Sequence, residues 1–136
     1  MGFLKTIEKI IADGKLLALI VRRSFQQPGC SFFTPEDFPF QLGMHIRAAQ
    51  THIDAHEHKP FAELKNIPAQ EFFYVKKGKV EVGIYHREKP YKKLVLGAGD
   101  MIVLNCAHDV TFLEDTEMVE LKQGPYRGKE KEKTYL

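Results

Sequence analysis

The sequence has little of what would place a protein outside the cell, in a membrane or on a nucleic acid. Its only cysteines are Cys30 and Cys106, too few for a disulfide framework. The opening stretch MGFLKTIEKIIADGK carries acidic residues inside its apolar pattern, which a secretory signal does not. Both features lead to the expectation of a reducing, cytoplasmic compartment. The longest uncharged apolar run, Leu16 to Val21, falls far short of the ~18 or more residues of a membrane span, so no membrane partner is expected. Twenty basic residues balance eighteen acidic ones for a net charge of +2, with lysines interleaved among glutamates. No basic patch is massed for nucleic acid.

Against these absences stands a concentration of metal-ligand chemistry between His52 and Gly78. His56-Glu57-His58 is followed by Glu71 at the head of EFFYVKKG. In an extended segment, residues two apart project from the same face, so the two imidazoles point the same way and can converge on one ion. Glu71, Phe73 and Val75 share one face of the following strand, and Phe72 and Tyr74 share the other. The carboxylate is directed inward if Phe73 and Val75 are core. His52 and Asp54 share the parity of the pair; His52 lies too far along the chain to bind the same ion and reads as lining or edge, and Asp54 reads as a surface aspartate.

A chain of 136 residues with 43% hydrophobic content is expected to form a single domain over 1–136. Phe3, Leu4, Ile7, Ile10 and Ile11 recur at spacings of three and four with Gly14 just beyond, which predicts a short amphipathic helix within residues 1–14. LLALIVRRS predicts a buried strand, FFTPEDFPF a loop, and QLGMHIRAAQ a further strand. Pro60 and Pro68 bracket a long connection. EFFYVKKGKVEVGIYHRE predicts a hairpin turning at Lys77-Gly78, with a second turn at Glu88-Lys89-Pro90. KKLVLGAGDMIVLN supplies two strands, VTFLED and MVELKQ two more, and residues 127–136 form a mixed-charge tail. Many short strands separated by turn signals indicate an all-β sandwich or barrel. Such a domain leaves sheet edges to cover, which leads to the expectation of a homodimer.

His56-Glu57-His58, then Glu71, FFYVKK and Gly78, resemble the first motif of the cupins, small jelly-roll barrels. Gln50 stands at the motif's leading glycine, and twelve residues separate His58 from Glu71. Gly99-Asp100 opens a second motif, which carries His108 across as the third imidazole. GKLLALIVR, FFTPEDF, QLG, QEFFYV and ELKQGPY (residues 120–126) are similar to a group of small single-domain bacterial cupins associated with sugar and surface-polysaccharide pathways. The resemblance covers nearly the whole chain. It implies a cupin-type double-stranded β-helix, in addition to the short N-terminal helix, with one divalent transition metal held by His56, His58, Glu71 and His108.

Three imidazoles and a carboxylate suit Fe, Mn, Ni, Co or Zn and leave positions open for a ligand. The expected function is Lewis-acid catalysis on a small sugar or keto-sugar, isomerase-like or epimerase-like, with His56 and His58 at the reacting centre. The alternatives are a metal-free sugar-nucleotide isomerase using the His pair as acid and base, a non-catalytic sugar-binding or regulatory module, and a non-haem iron dioxygenase. Cys106 is expected to be a small buried hydrophobe. Glu120 and Lys122 are expected to point outward, because Val119 and Leu121 have the opposite parity and look like the core pair.

Overall fold

The computed structural model describes residues 6–62 and 65–136. The chain divides into two compact units, residues 1–25 with 69–136 and residues 26–68. Among the described residues no helix is long and apolar enough to cross a membrane.

The first unit is all-β and antiparallel. One sheet runs in the order β1 (Ile7–Ala12), β2 (Lys15–Val21), β8 (Met101–Leu104), β5 (Glu71–Lys77), β10 (Glu117–Lys122), and another in the order β7 (Lys89–Gly97), β6 (Lys79–His86), β9 (His108–Phe112). The short helix α1 (Lys129–Glu132) follows β10. The second unit contains the antiparallel pair β3 (Gly29–Phe32) and β4 (Gly43–Ile46). Described residues between 47 and 70 carry no helix or strand.

The N-terminal helix is corrected over the described part of its span; residues 1–5 lie outside the described residues. Ile7–Ala12 is a strand whose inward positions are Ile10 and Ala12, while Ile11 is 52% exposed. Alternation places Ile7 and Ile11 on the face opposite Ile10, so apolar residues of two faces mimic one helical stripe. Asp13-Gly14, with φ of 51° and 71°, is not a helix end. It is the two-residue turn that joins β1 to β2 with both central residues left-handed.

Strands β5 and β6 are not a hairpin. Gly78, at φ 95°, passes the chain from the first sheet to the second, so β5–β6 is one double-length strand bent at a glycine corner. On one side β5 pairs with β10 and β6 with β9; on the other β5 pairs with β8 and β6 with β7. A Cβ at Gly78 would come within 2.5 Å of the Asp115 carbonyl oxygen, which leaves only glycine for this bend. The turn between β6 and β7 is Arg87-Glu88, with φ of 51° and 65°, beginning one residue earlier than the expected Glu88-Lys89-Pro90. Pro90 is tolerated because β7 is an edge strand.

Inward residues of both sheets make one core, including Ile20, Phe73, Val75, Val82, Ile84, Leu96 and Ile102. Leu19, Val21 and Val103, of the opposite parity, are buried too, as expected of the continuous apolar run in β2.

The corner between β7 and β8 is closed by Asp100. Its Oδ1 accepts from the Arg23 backbone N–H at 3.0 Å, and its Oδ2 accepts from the Gly97 N–H at 2.8 Å and from Arg22 Nη1 at 3.0 Å. Arg22 also donates from Nε to Glu8 at 2.5 Å. Asp100→Ala would leave these donors without their acceptor, and is expected to cost about 2–4 kcal/mol in urea denaturation. Gly99→Ala places a methyl 2.7 Å from the Arg23 Cβ at φ +89° and is expected to cost about 1–3 kcal/mol. A wild-type urea midpoint in both variants would contradict this account of the corner.

Candidate functional site

Strand alternation carries Glu71 inward with Phe73 and Val75, which are buried to 2% and 0% exposure. In the other sheet β9 pairs with β6 so that His108 opposes Ile84 and Val110 opposes Val82, and His108 therefore shares the core-facing side. The two side chains meet with His108 Nε2 3.4 Å from Glu71 Oε2, at side-chain exposures of 21% and 23%. Phe73 meets the imidazole edge to face, with ring centroids 6.0 Å apart.

The tautomer of His108 follows from its other nitrogen. Nδ1 lies 2.9 Å from the Cys106 carbonyl oxygen, and a carbonyl only accepts, so Nδ1 carries hydrogen. That leaves Nε2 aimed at the Glu71 carboxylate. A lone pair facing an anion would be repulsive, and the contact is satisfied when Nε2 is protonated as well.

The electrostatics agree. Burial is the largest influence on His108 and opposes its charge, but the facing Glu71 carboxylate, the Cys106 carbonyl and the nearby Glu120 charge outweigh it and raise the imidazole above its ordinary value. For Glu71 the facing imidazole is the largest influence. It lowers the carboxyl against the opposing effect of burial, with help from the charges of His108, Lys133 and Lys122.

This pair lines a cavity of about 760 Å³ in the first unit, with Gln70, Tyr85, Glu120, Lys122 and Lys133 among its walls. Glu120 and Lys122 correct the expectation that they point outward. In an antiparallel ladder directly opposed residues share a face; Met118 opposes Val75, Glu120 opposes Phe73 and Lys122 opposes Glu71. Val119 and Leu121 are the outward pair, 50% and 56% exposed. Met118, which packs on the core, carried the signal. The segment after β10 also returns to this cavity, through Arg127 and Glu132 to Leu136, and Arg127 Nε pairs with Glu132 at 3.4 Å.

His56 and His58 belong to the second unit. They lie outside any strand, with ring centroids 5.1 Å apart, and His56 Nδ1 faces the Asp54 carbonyl at 2.8 Å. Among the described residues, no group of three or more His, Cys, Asp or Glu side chains is gathered as an ion site. Cys106 packs against the core, and burial pushes its thiol up to about 11, the behaviour of an inert packing residue. Its contribution to the site is its carbonyl.

The sign of the pH dependence follows from these shifts. A raised His108 adds stability below its ordinary value near 6.5 that fades as pH rises through the folded value. A lowered Glu71 adds stability above its ordinary value near 4.5 that fades as pH falls through the folded value. In chelator-treated protein, His108→Asn is therefore expected to lower stability most between those two ordinary values. The loss should be about 1 kcal/mol after screening by solvent, and should shrink at pH 8. Thermal melts of wild type and variant across pH 4–9 check this; a difference that is flat with pH would contradict it.

Comparison of the chain with protein-family models, with curated proteins and with solved structures gives no match.

Proposed function

We propose that the protein is a metal-dependent cupin that acts on a small oxygenated molecule, with Glu71 and His108 as two of the ligands to one divalent transition metal. The observation that carries this reading is the mutual aim of His108 Nε2 and Glu71 Oε2 at 3.4 Å, with the far nitrogen of the imidazole held by a backbone carbonyl. Metal-ligating histidines characteristically donate their second ring N–H in this way. Two donors at that separation fit onto one ion at bonds of about 2.0–2.2 Å, and the proton they share occupies the place a cation would take. The nitrogen and oxygen donors suit Fe, Mn, Ni, Co or Zn.

His56 and His58 complete the ligand set on the strength of the sequence motif. The bend of β5–β6 at Gly78, matched by its partners on both sides, supports reading the first unit as a double-stranded β-helix. A bound ion would supply Lewis acidity, polarising a carbonyl or enediol oxygen. The chain supplies a core-walled cavity, a fixed imidazole and carboxylates that can accept a proton from the ligand. The substrate is a keto-sugar or related sugar derivative, and the reaction is proton transfer between adjacent carbons.

The protonated pair also favours a second reading. Without metal, His108 and Glu71 are a proton-holding dyad able to work as acid and base.

Elemental analysis of untagged protein purified without chelators distinguishes the two. Near-stoichiometric transition metal is expected in wild type, with loss of binding by at least about 100-fold in His108→Ala and Glu71→Gln, the scale set by ligand and supporting-shell substitutions. The same loss in His56→Ala/His58→Ala would establish the full set. Affinity should rise with pH as the shared proton is displaced. Wild-type protein that holds no metal and takes up none of the five candidate ions would overturn the metal reading in favour of the dyad.

A further inference from the structure

The inward face of β10 presents charges that the fold itself does not use. Two other sheet lysines lie beside glutamates, Lys76 at 4.0 Å from Glu117 and Lys93 at 3.8 Å from Glu81. Lys122 stands directly across from Glu71 in the ladder, the ordinary geometry for a cross-strand ion pair, but that carboxylate is turned to His108. The Lys122 ammonium lies over the Tyr126 ring, 6.0 Å from its centroid.

Lys133 reaches the same cavity from the returning C-terminal segment. Neither lysine forms an ion pair among the described residues. The third cation of the cavity, Arg127, is held by Glu132, and Asp109 accepts from the Tyr85 hydroxyl at 2.5 Å. On the same β10 face Glu120 has no ion-pair partner among the described residues either. The end of β10 is fixed beside these groups, because Gln123 Oε1 accepts from the Gln70 backbone N–H at 2.6 Å.

We propose that Lys122 and Lys133 form an anion-recognition wall beside the Glu71–His108 pair, and that the ligand is a small polyhydroxylated carboxylic acid whose carboxylate they bind while Glu120 accepts from a hydroxyl. This rests on the reading that the pair is the reacting end of the site. Two uncommitted ammonium groups next to an occupied carboxylate attract an anion. The adjoining uncommitted carboxylate accepts from hydroxyls and disfavours a second negative charge at that end. The combination selects a ligand with one acidic terminus and a neutral hydroxylated chain.

Isothermal titration with gluconate, glucitol and glucitol 6-phosphate tests the proposal, using the full chain both metal-loaded and chelator-treated. Gluconate is expected to bind at least tenfold more tightly than glucitol. Lys122→Gln and Lys133→Gln should each weaken gluconate by about tenfold or more, the scale of a charge-assisted hydrogen bond, and leave glucitol unchanged. Lys122→Arg should retain most of the affinity, and added salt should weaken gluconate selectively. Both lysines are exposed, so the variants should melt as wild type does.

Equal binding of gluconate and glucitol, no binding of gluconate, or unchanged gluconate affinity in both glutamine variants would overturn the proposal. Tighter binding of glucitol 6-phosphate than gluconate would overturn the carboxylate assignment. Lysine-dependent gluconate binding in chelator-treated protein upholds the anion wall even where the metal reading fails. Its absence from protein that has taken up metal overturns the wall and leaves the metal reading standing.

Discussion

The Asp100 carboxylate is the interaction on which the geometry of the first unit depends. A double-length strand can bend at Gly78 only if its neighbours bend at the same level, and β7–β8 does so at Gly97–Asp100. There the Asp100 side chain takes the Gly97 and Arg23 backbone N–H groups and the Arg22 guanidinium. Its main chain takes the Val75 N–H at 3.0 Å, and the Gly99 N–H reaches the Val75 carbonyl at 2.7 Å. One largely buried charge, fully supplied with donors as burial requires, thus ties the corner to the middle of β5 and the end of β2. Through Arg22 and Glu8 the tie reaches β1. The register of β5 on β8, Glu71 opposite Leu104 and Phe73 opposite Ile102, lies directly against this tie.

Register decides the site. A slip of one residue in β5 would turn Glu71 outward and Phe72 inward, and would carry Lys122 outward with Glu71, since the opposed residues of the β5–β10 ladder share a face. The other sheet contributes His108 through its own pairing to β6. The cavity therefore joins side chains from two sheets whose relative parity is set by backbone hydrogen bonds, with the imidazole oriented by the Cys106 carbonyl. A proton on Nε2 is what satisfies the contact when the ring nitrogen faces a carboxylate, and it is this proton that the proposed metal would displace.

Much of this was legible in the sequence. Alternation in EFFYVKK gave the inward direction of Glu71, and the hydrophobic run of β2 gave a buried strand. Other parts misled for identifiable reasons. Asp13-Gly14 satisfies the signal for a helix end and the signal for a tight hairpin equally well, and only long-range pairing of β1 with β2 separates them. On β10 the aliphatic pair, Val119 and Leu121, lies outward on an edge strand, while the core contact is made by Met118. Parity read from hydrophobicity alone therefore inverts Glu120 and Lys122. The charged residues after Gly128 have the composition of a solvated tail, and nothing local in them indicates return to the cavity. The His56-Glu57-His58 spacing suggested a strand, whereas those residues lie in an irregular connection.

The division of labour within the first unit follows from how tightly each group is held. Glu71 and His108 sit on strands whose neighbours are core residues, and the imidazole has its ring fixed on three sides by Phe73, Glu71 and a carbonyl. Little conformational entropy remains for a ligand to remove there. Lys122 and Lys133 carry long flexible stems, and ordering each costs up to about 2 kcal/mol. A neutral ligand offers no charge to offset that cost, whereas an anion does. Selectivity for an acidic terminus therefore does not need a rigid pocket for it: free lysines on an edge strand and a returning segment are ordered by the ligand they select, while the groups that would do chemistry are already in place.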